Sequence, residues 1–89
     1  MIKQFTDKAW KDYLYWQTTN SKQFKQINKL IQAIERDPFI GIGKPEPLKA
    51  NLQGWWSRRI NLKDRIIYKV ETQRAENILV IISIRGHYD

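Results

Sequence analysis

A carboxylate held between two ammonium groups is the first feature of this chain able to do chemistry. In Lys44-Pro45-Glu46-Pro47-Leu48-Lys49, a proline on each side of Glu46 limits its backbone freedom. The lysines favour the ionised, proton-accepting carboxylate, whereas burial would favour the neutral form suited to proton exchange. The plain alternative is a solvated loop charge. A second cluster is Ser57-Arg58-Arg59-Ile60 followed by Asp64-Arg65-Ile66-Ile67-Tyr68, with arginines on adjacent predicted strands where bidentate phosphate contacts are geometrically feasible. Alternation along a strand sends Arg58 and Arg59 to opposite faces. Arg59 and Arg65 share a face if they pair directly across five intervening residues, whereas a register pairing Ile60 with Arg65 would separate them. Failing that, they are solvated strand charges. The single histidine, His87, lies in Arg85-Gly86-His87-Tyr88-Asp89, just past the last predicted strand. Terminal segments ordinarily fray, but an imidazole can protonate a leaving oxygen if the tail packs on the sheet. One histidine does not suggest a metal site, and no metal or cofactor is expected.

The elements that must position these groups form an α+β order. Ile2 to Phe5 reads as a short strand, with Thr6 as N-cap of a first helix and Asp7 in its first turn. Trp10, Tyr13, Leu14 and Gln17 follow helical spacing, and this aromatic stripe is most simply core packing. After a break at Thr18-Thr19-Asn20, a second helix starts near Ser21, with Phe24, Ile27, Leu30, Ile31 and Ile34 on one face and Lys22, Lys25, Lys29 and Gln32 on the other. The short break makes an antiparallel helical hairpin, which Asp37-Pro38 ends. Two glycines and two prolines make Phe39 to Pro47 a loop of restricted path. Strands are predicted at Trp55 to Ile60, Arg65 to Val70 and Asn77 to Ile84, forming an antiparallel meander with both helices on one face.

A chain of 89 residues fits one domain, 1–89, and four Trp, four Tyr and three Phe let so small a core bury large areas per residue. Sixteen Lys and Arg against nine Asp and Glu give a formal charge of +7, which favours a polyanionic partner without specifying a reaction. The absence of cysteine removes disulfides, thiolate nucleophiles and Cys-based zinc sites. The first residues lack the apolar run of a signal peptide, and the longest aliphatic stretch, Ile78 to Ile82, is far too short to span a bilayer. A soluble, cytoplasmic protein without a membrane partner is therefore expected.

Strings along nearly the whole chain resemble the YoeB-type toxins of the RelE superfamily. They comprise Trp10 with Asp12-Tyr13-Leu14-Tyr15-Trp16-Gln17, Pro38-Phe39, Gly41 through Lys49, Asn51-Leu52, Gly54, Trp56 through Ile60, Arg65, Tyr68 and His87-Tyr88. The resemblance implies a homodimeric, microbial RNase-like fold that enters the ribosomal A site, cleaves messenger RNA there, and is restrained by a YefM-type antitoxin. It further implies that Glu46 takes the proton from the RNA 2′-hydroxyl and His87 protonates the leaving 5′ oxygen. By the same resemblance Arg65 stabilises the transition state, Lys49 and Arg59 assist at the phosphate, and Tyr88 orients the terminal site, giving 2′,3′-cyclic phosphate and 5′-hydroxyl ends. Trp55, Tyr68 and Tyr88 are candidates to stack on a base, with packing favoured for Trp56. Two departures bear on the tail. Gly86 stands where some relatives carry a bulkier residue and so restrains His87 less, and Asp89 adds negative charge near the imidazole. Two other functions fit the same scaffold: a non-catalytic ribosome- or RNA-binding module, in which Glu46 and His87 need not converge, and a toxin that inhibits a protein target through its surface.

Overall fold

A computed structural model describes residues 1–87 of the chain. The order of elements is β1 (Ile2–Phe5), α1 (Asp7–Thr19), α2 (Ser21–Arg36), β2 (Glu46–Pro47), a 3-10 turn (Ala50–Leu52), β3 (Trp56–Arg59), β4 (Arg65–Gln73) and β5 (Glu76–Ser83). The strands form one five-stranded sheet in the order β1-β5-β4-β3-β2. Two helices pack on this mostly antiparallel sheet, as the α+β reading expected.

Local chemistry accounts for the helical half. The Thr6 hydroxyl accepts from the Ala9 amide at 3.2 Å, and Asp7 lies in the first turn of α1. Asn20 alone separates the helices, which makes the break shorter than the expected Thr18-Thr19-Asn20. Its amide donates to the Trp16 carbonyl at the end of α1, and its side chain accepts from the Gln23 amide at the start of α2. The Asp37 amide closes α2 on Ala33, and the Asp37 carboxylate accepts from the amides of Phe39 and Ile40.

The core lies between α2 and the sheet. Ile27, Leu30, Ile31 and Ile34 meet Ile66, Tyr68, Leu79 and Ile81, with Ala9 and Trp16 contributed by α1. The reading of the α1 stripe as core is corrected in part. Tyr13 packs against the core, but Trp10 and Leu14 are 48% and 39% exposed. Trp10 instead stacks on Tyr13 at 5.7 Å and meets Phe5 of β1 edge-on at 5.8 Å. Helical spacing places a residue on a face, but the narrow span of β1 leaves that part of the face uncovered.

The sheet departs from a simple meander at both edges. β1 pairs in parallel with β5, Ile2 opposite Ile78 and Phe5 opposite Ile81. At the other edge Glu46 and Pro47, expected in a loop, pair with Ser57 and Trp56. An edge strand tolerates proline because the missing amide would have faced outward. Strand β4 is longer than expected, β5 begins and ends one residue earlier, and the two turn over Arg74-Ala75, both at positive φ, +51° and +64°. Two-residue hairpins require that geometry, but Arg-Ala lacks the Asn-Gly composition that announces it. Among the described residues, no helix is long and apolar enough to cross a membrane.

Candidate active site on the open face of the sheet

Register decides which side chains meet. Arg59 pairs directly with Arg65, and Ser57 pairs with Ile67 on one side and Glu46 on the other, so these residues share one face of the sheet. Arg58 and Tyr68 lie on the opposite, helix-covered face. The condition set by the sequence for a shared arginine pocket is thus met. Like charges facing across a ladder repel, so the Arg59–Arg65 pair costs stability unless an anion sits between the guanidinium groups.

An open cavity of about 340 Å³ lies on this face, lined by Glu46, Lys49, Ser57, Arg59, Arg65 and His87 together with Pro47 and Leu48. Five of the six residues singled out in the sequence are therefore brought together, and Tyr88 lies outside the described residues. Glu46, Lys49, Arg59 and His87 are exposed and Arg65 is half-buried. Burial of the Glu46 carboxylate, one of the two alternatives, does not occur. Ser57 was missed, although its spacing of two from Arg59 on a strand could have placed it on the same face.

Each wall has its own support. Glu46 reaches the cavity because β2 is fastened to β3, with the Leu48 amide donating to Trp55 at 2.9 Å. The preceding loop is held from beneath by Arg58, which is fully buried. Its guanidinium donates to the carbonyls of Asp37, Ile40 and Ile42, and its Nε to the Tyr68 hydroxyl at 3.1 Å. The Tyr68 hydroxyl in turn donates to the Pro38 carbonyl at 2.6 Å. Burial pushes the Tyr68 phenol above its ordinary pKa, with the Arg58 hydrogen bond and charge pulling partly back. Arg58 thus serves the loop from the face opposite Arg59, as strand alternation requires, and one expectation is corrected: Tyr68, with no exposed surface, cannot stack on a base. Trp55 carries Lys69 Nζ at 4.5 Å from its ring, and Trp56 packs on Phe39 at 4.9 Å.

The arginine wall is built by the 60–64 turn. Arg65 Nη1 donates to the carbonyls of Asn61 at 2.8 Å and Asp64 at 3.1 Å, which aims the guanidinium before any ligand arrives. His87 arrives from the end of β5, where a bulge leaves Ile82 unpaired between the Ile67–Ser83 and Tyr68–Ile81 pairs. Beyond it, α1 grips the chain. Asp12 accepts from the Ile84 amide at 3.0 Å, Trp16 Nε1 donates to the Ile84 carbonyl at 2.8 Å, and Lys8 donates to the Arg85 carbonyl at 3.2 Å. Arg85 lies over the Tyr15 ring at 3.7 Å. The described part of the tail is packed against the molecule. It does not fray as terminal position alone suggests.

A helical hairpin on this sheet, with a basic cavity on the open face, is the architecture of the RelE-like toxins. Residues 5–88 match the family of YoeB-like toxins of bacterial type II toxin-antitoxin systems. The chain is 57% identical to Toxin YoeB of Synechocystis over 94% of its own length and 93% of that protein's. It is 49% identical to Toxin YoeB of Streptomyces coelicolor over 94% and 95%. Its structure superposes on a YoeB/ParE toxin from Agrobacterium tumefaciens with a TM-score of 0.93 at 42% identity, covering 99% and 100% of the two chains. The YoeB dimer from Staphylococcus aureus gives 0.88 at 42% identity over 99% and 98%. The heterotetrameric YoeB-YefM complex from the same organism gives 0.84 at 39% over the same shares. The chain belongs to the YoeB family of toxins.

Proposed function

We propose that this chain is a ribosome-dependent endoribonuclease that cuts messenger RNA in the ribosomal A site. The observation that carries the reading is that Glu46 and His87, far apart in sequence, line one cavity together with Arg59, Arg65 and Lys49. Glu46 takes the proton of a 2′-hydroxyl as its oxygen attacks the adjacent phosphorus. The phosphorus–O5′ bond breaks, and His87 gives a proton to the departing O5′. The products are a 2′,3′-cyclic phosphate and a 5′-hydroxyl, with no water consumed. Arg65, aimed by the turn carbonyls, meets the charge that builds on the non-bridging oxygens, while Arg59 and Lys49 hold the flanking phosphates. Tyr88 orients the leaving end of the site. A purely RNA-binding module has no need for the carboxylate and imidazole to share a cavity, and a protein inhibitor has no need for either.

The protein works in the cytoplasm as a homodimer and is restrained by a YefM-type antitoxin, a reading supported by the dimer and the YoeB-YefM complex among its structural relatives. An acidic antitoxin segment lying across Arg59 and Arg65 would relieve their mutual repulsion and block the phosphate site in one step.

The test is a translation reaction on a defined message, with RNA ends mapped by primer extension. The unmodified protein is expected to cut only when ribosomes are present. Glu46→Gln and His87→Gln are each expected to slow cutting about 100-fold or more while still binding ribosomes. Binding without cutting by the unmodified protein would overturn the reading in favour of the binding module.

A further inference from the structure

The carboxylate of Asp64 is 8% exposed and stands behind the cavity, contributing nothing to its lining. Its Oδ1 accepts from the Gly86 amide at 2.9 Å and its Oδ2 from Asn61 Nδ2 at 3.1 Å. Asn61 is itself fastened. Its Oδ1 accepts from the amides of Lys63 and Asp64 at 2.8 and 2.7 Å, and its Nδ2 also donates to Gln23 Oε1 of α2 at 2.8 Å. Asp64 therefore sits on a turn anchored to the helical layer, which gives its side chain a fixed position from which to hold the tail.

What it holds is the residue next to His87. Gly86 has φ +111°, and a Cβ built there would meet nothing within 4 Å, so no side-chain packing restrains this position. Its two backbone polar groups are both taken by the same turn, the amide by Asp64 Oδ1 and the carbonyl by the Arg65 amide at 3.0 Å. The Asp64 carbonyl meanwhile receives Arg65 Nη1. One residue thus ties the backbone before His87 and the guanidinium of Arg65 to a common frame, and a charge-assisted hydrogen bond supplies the restraint that glycine lacks.

We propose that Asp64 is a positioning residue for RNA cleavage, setting His87 against Arg65 through the Asp64–Gly86 hydrogen bond. This rests on the reading in which His87 protonates the leaving oxygen. Misplacing a proton donor by about 1 Å costs on the order of 100-fold in rate while leaving binding intact, because only the transition state needs the donor in place.

The experiment compares single-turnover cleavage on programmed ribosomes of an all-oxygen message and of one whose scissile phosphate carries a 5′-bridging sulfur, which departs without protonation. Asp64→Ala is expected to cut the oxygen message about 10- to 100-fold more slowly, with ribosome affinity unchanged. The loss should largely vanish on the sulfur message, and in a His87→Gln background Asp64→Ala should change the rate less than about 2-fold. Asp64→Asn is the second variant should the alanine protein fail to fold. It preserves volume, but once its oxygen serves Gly86 its amide meets the Asn61 amide donor to donor. Wild-type cleavage by a folded Asp64 variant overturns the proposal. So does an equal loss on both messages, or a loss that multiplies with that of His87→Gln. If His87→Gln itself cuts both messages like the unmodified protein, the acid role of His87 fails first and the positioning role falls with it.

Discussion

At the scale of the residue, two neighbours in sequence show how position divides labour between identical side chains. Arg58 and Arg59 differ by one step along β3, and the pleat sends the first into the core and the second to the cavity. Arg58 directs its donors to loop carbonyls and the Tyr68 hydroxyl. Removing that hydroxyl by Tyr68→Phe strands a buried Arg58 N–H and the Pro38 carbonyl and should cost about 1–3 kcal/mol, read from denaturant unfolding at neutral pH. The pH dependence carries a sign. Because burial raises the folded pKa of Tyr68, its contribution is complete below the unfolded value of about 10 and is lost as pH rises from there through the folded value. The gap between the unmodified protein and Tyr68→Phe should therefore narrow above about pH 10. An unchanged gap would mean that the phenol does not report burial. Arg65 makes the complementary case. Arg65→Lys keeps the charge but cannot both bind the turn carbonyls and present a planar fork, so cleavage should fall about 10-fold or more with ribosome binding within about 2-fold.

At the scale of the element, the connections position the site more than the helices and strands do. The segment leading to Glu46 crosses the edge of β3 at Gly43, whose carbonyl accepts from the Arg59 amide at 2.7 Å. Gly43 sits at φ +84°, and a Cβ there would lie 2.7 Å from Leu30 Cδ2 and 3.3 Å from the Arg59 carbonyl. Both the backbone angle and the space demand glycine. Gly43→Ala should destabilise the fold by about 2 kcal/mol or more, measured as a lower unfolding midpoint, and should displace the Glu46 wall. Gly86 is a glycine of another kind, with free space around it and its position set by hydrogen bonds. The bulge at Ile82 and the grip of Asp12 and Trp16 on Ile84 explain how a chain end acquires a fixed course. Without the α1 side chains, the stretch beyond Ser83 would be held only at Gly86, by Asp64 and the Arg65 amide.

At the scale of the whole molecule, the formal charge of +7 is spread over surfaces with different duties. The cavity holds Lys49, Arg59 and Arg65, while Lys22, Lys25 and Lys29 project from the outer face of α2. Ribosome association should weaken linearly with the logarithm of salt concentration, because phosphate contacts release counterions. If the α2 face contacts ribosomal RNA, Lys25→Gln should shallow that slope by about 0.7–0.9 and leave the cleavage step on bound ribosomes unchanged. A slope unaffected by Lys25→Gln would exclude this face from the ribosome contact.

Much of this protein is legible in short stretches of its sequence. Apolar residues three and four apart locate α2, Thr6 and Asn20 mark helix starts, and alternating β-branched runs locate β3, β4 and β5, because these patterns depend on neighbours a few residues away. The strings around Glu46, Arg59, Arg65 and His87 point to the family for the same reason: residue types at short spacing are written directly in the chain. Tertiary structure alone decides the parallel pairing of β1 with β5, the exposure of Trp10, the burial of Arg58 and Tyr68, and the convergence of Glu46 with His87. Those outcomes depend on strand register and on which surfaces remain to be covered, quantities set by many weak contacts between distant segments. The role of Asp64 belongs to this second group. Beside Arg65 in the sequence it reads as a turn carboxylate, and its bond to Gly86 exists only once the end of β5 has been laid alongside the 60–64 turn.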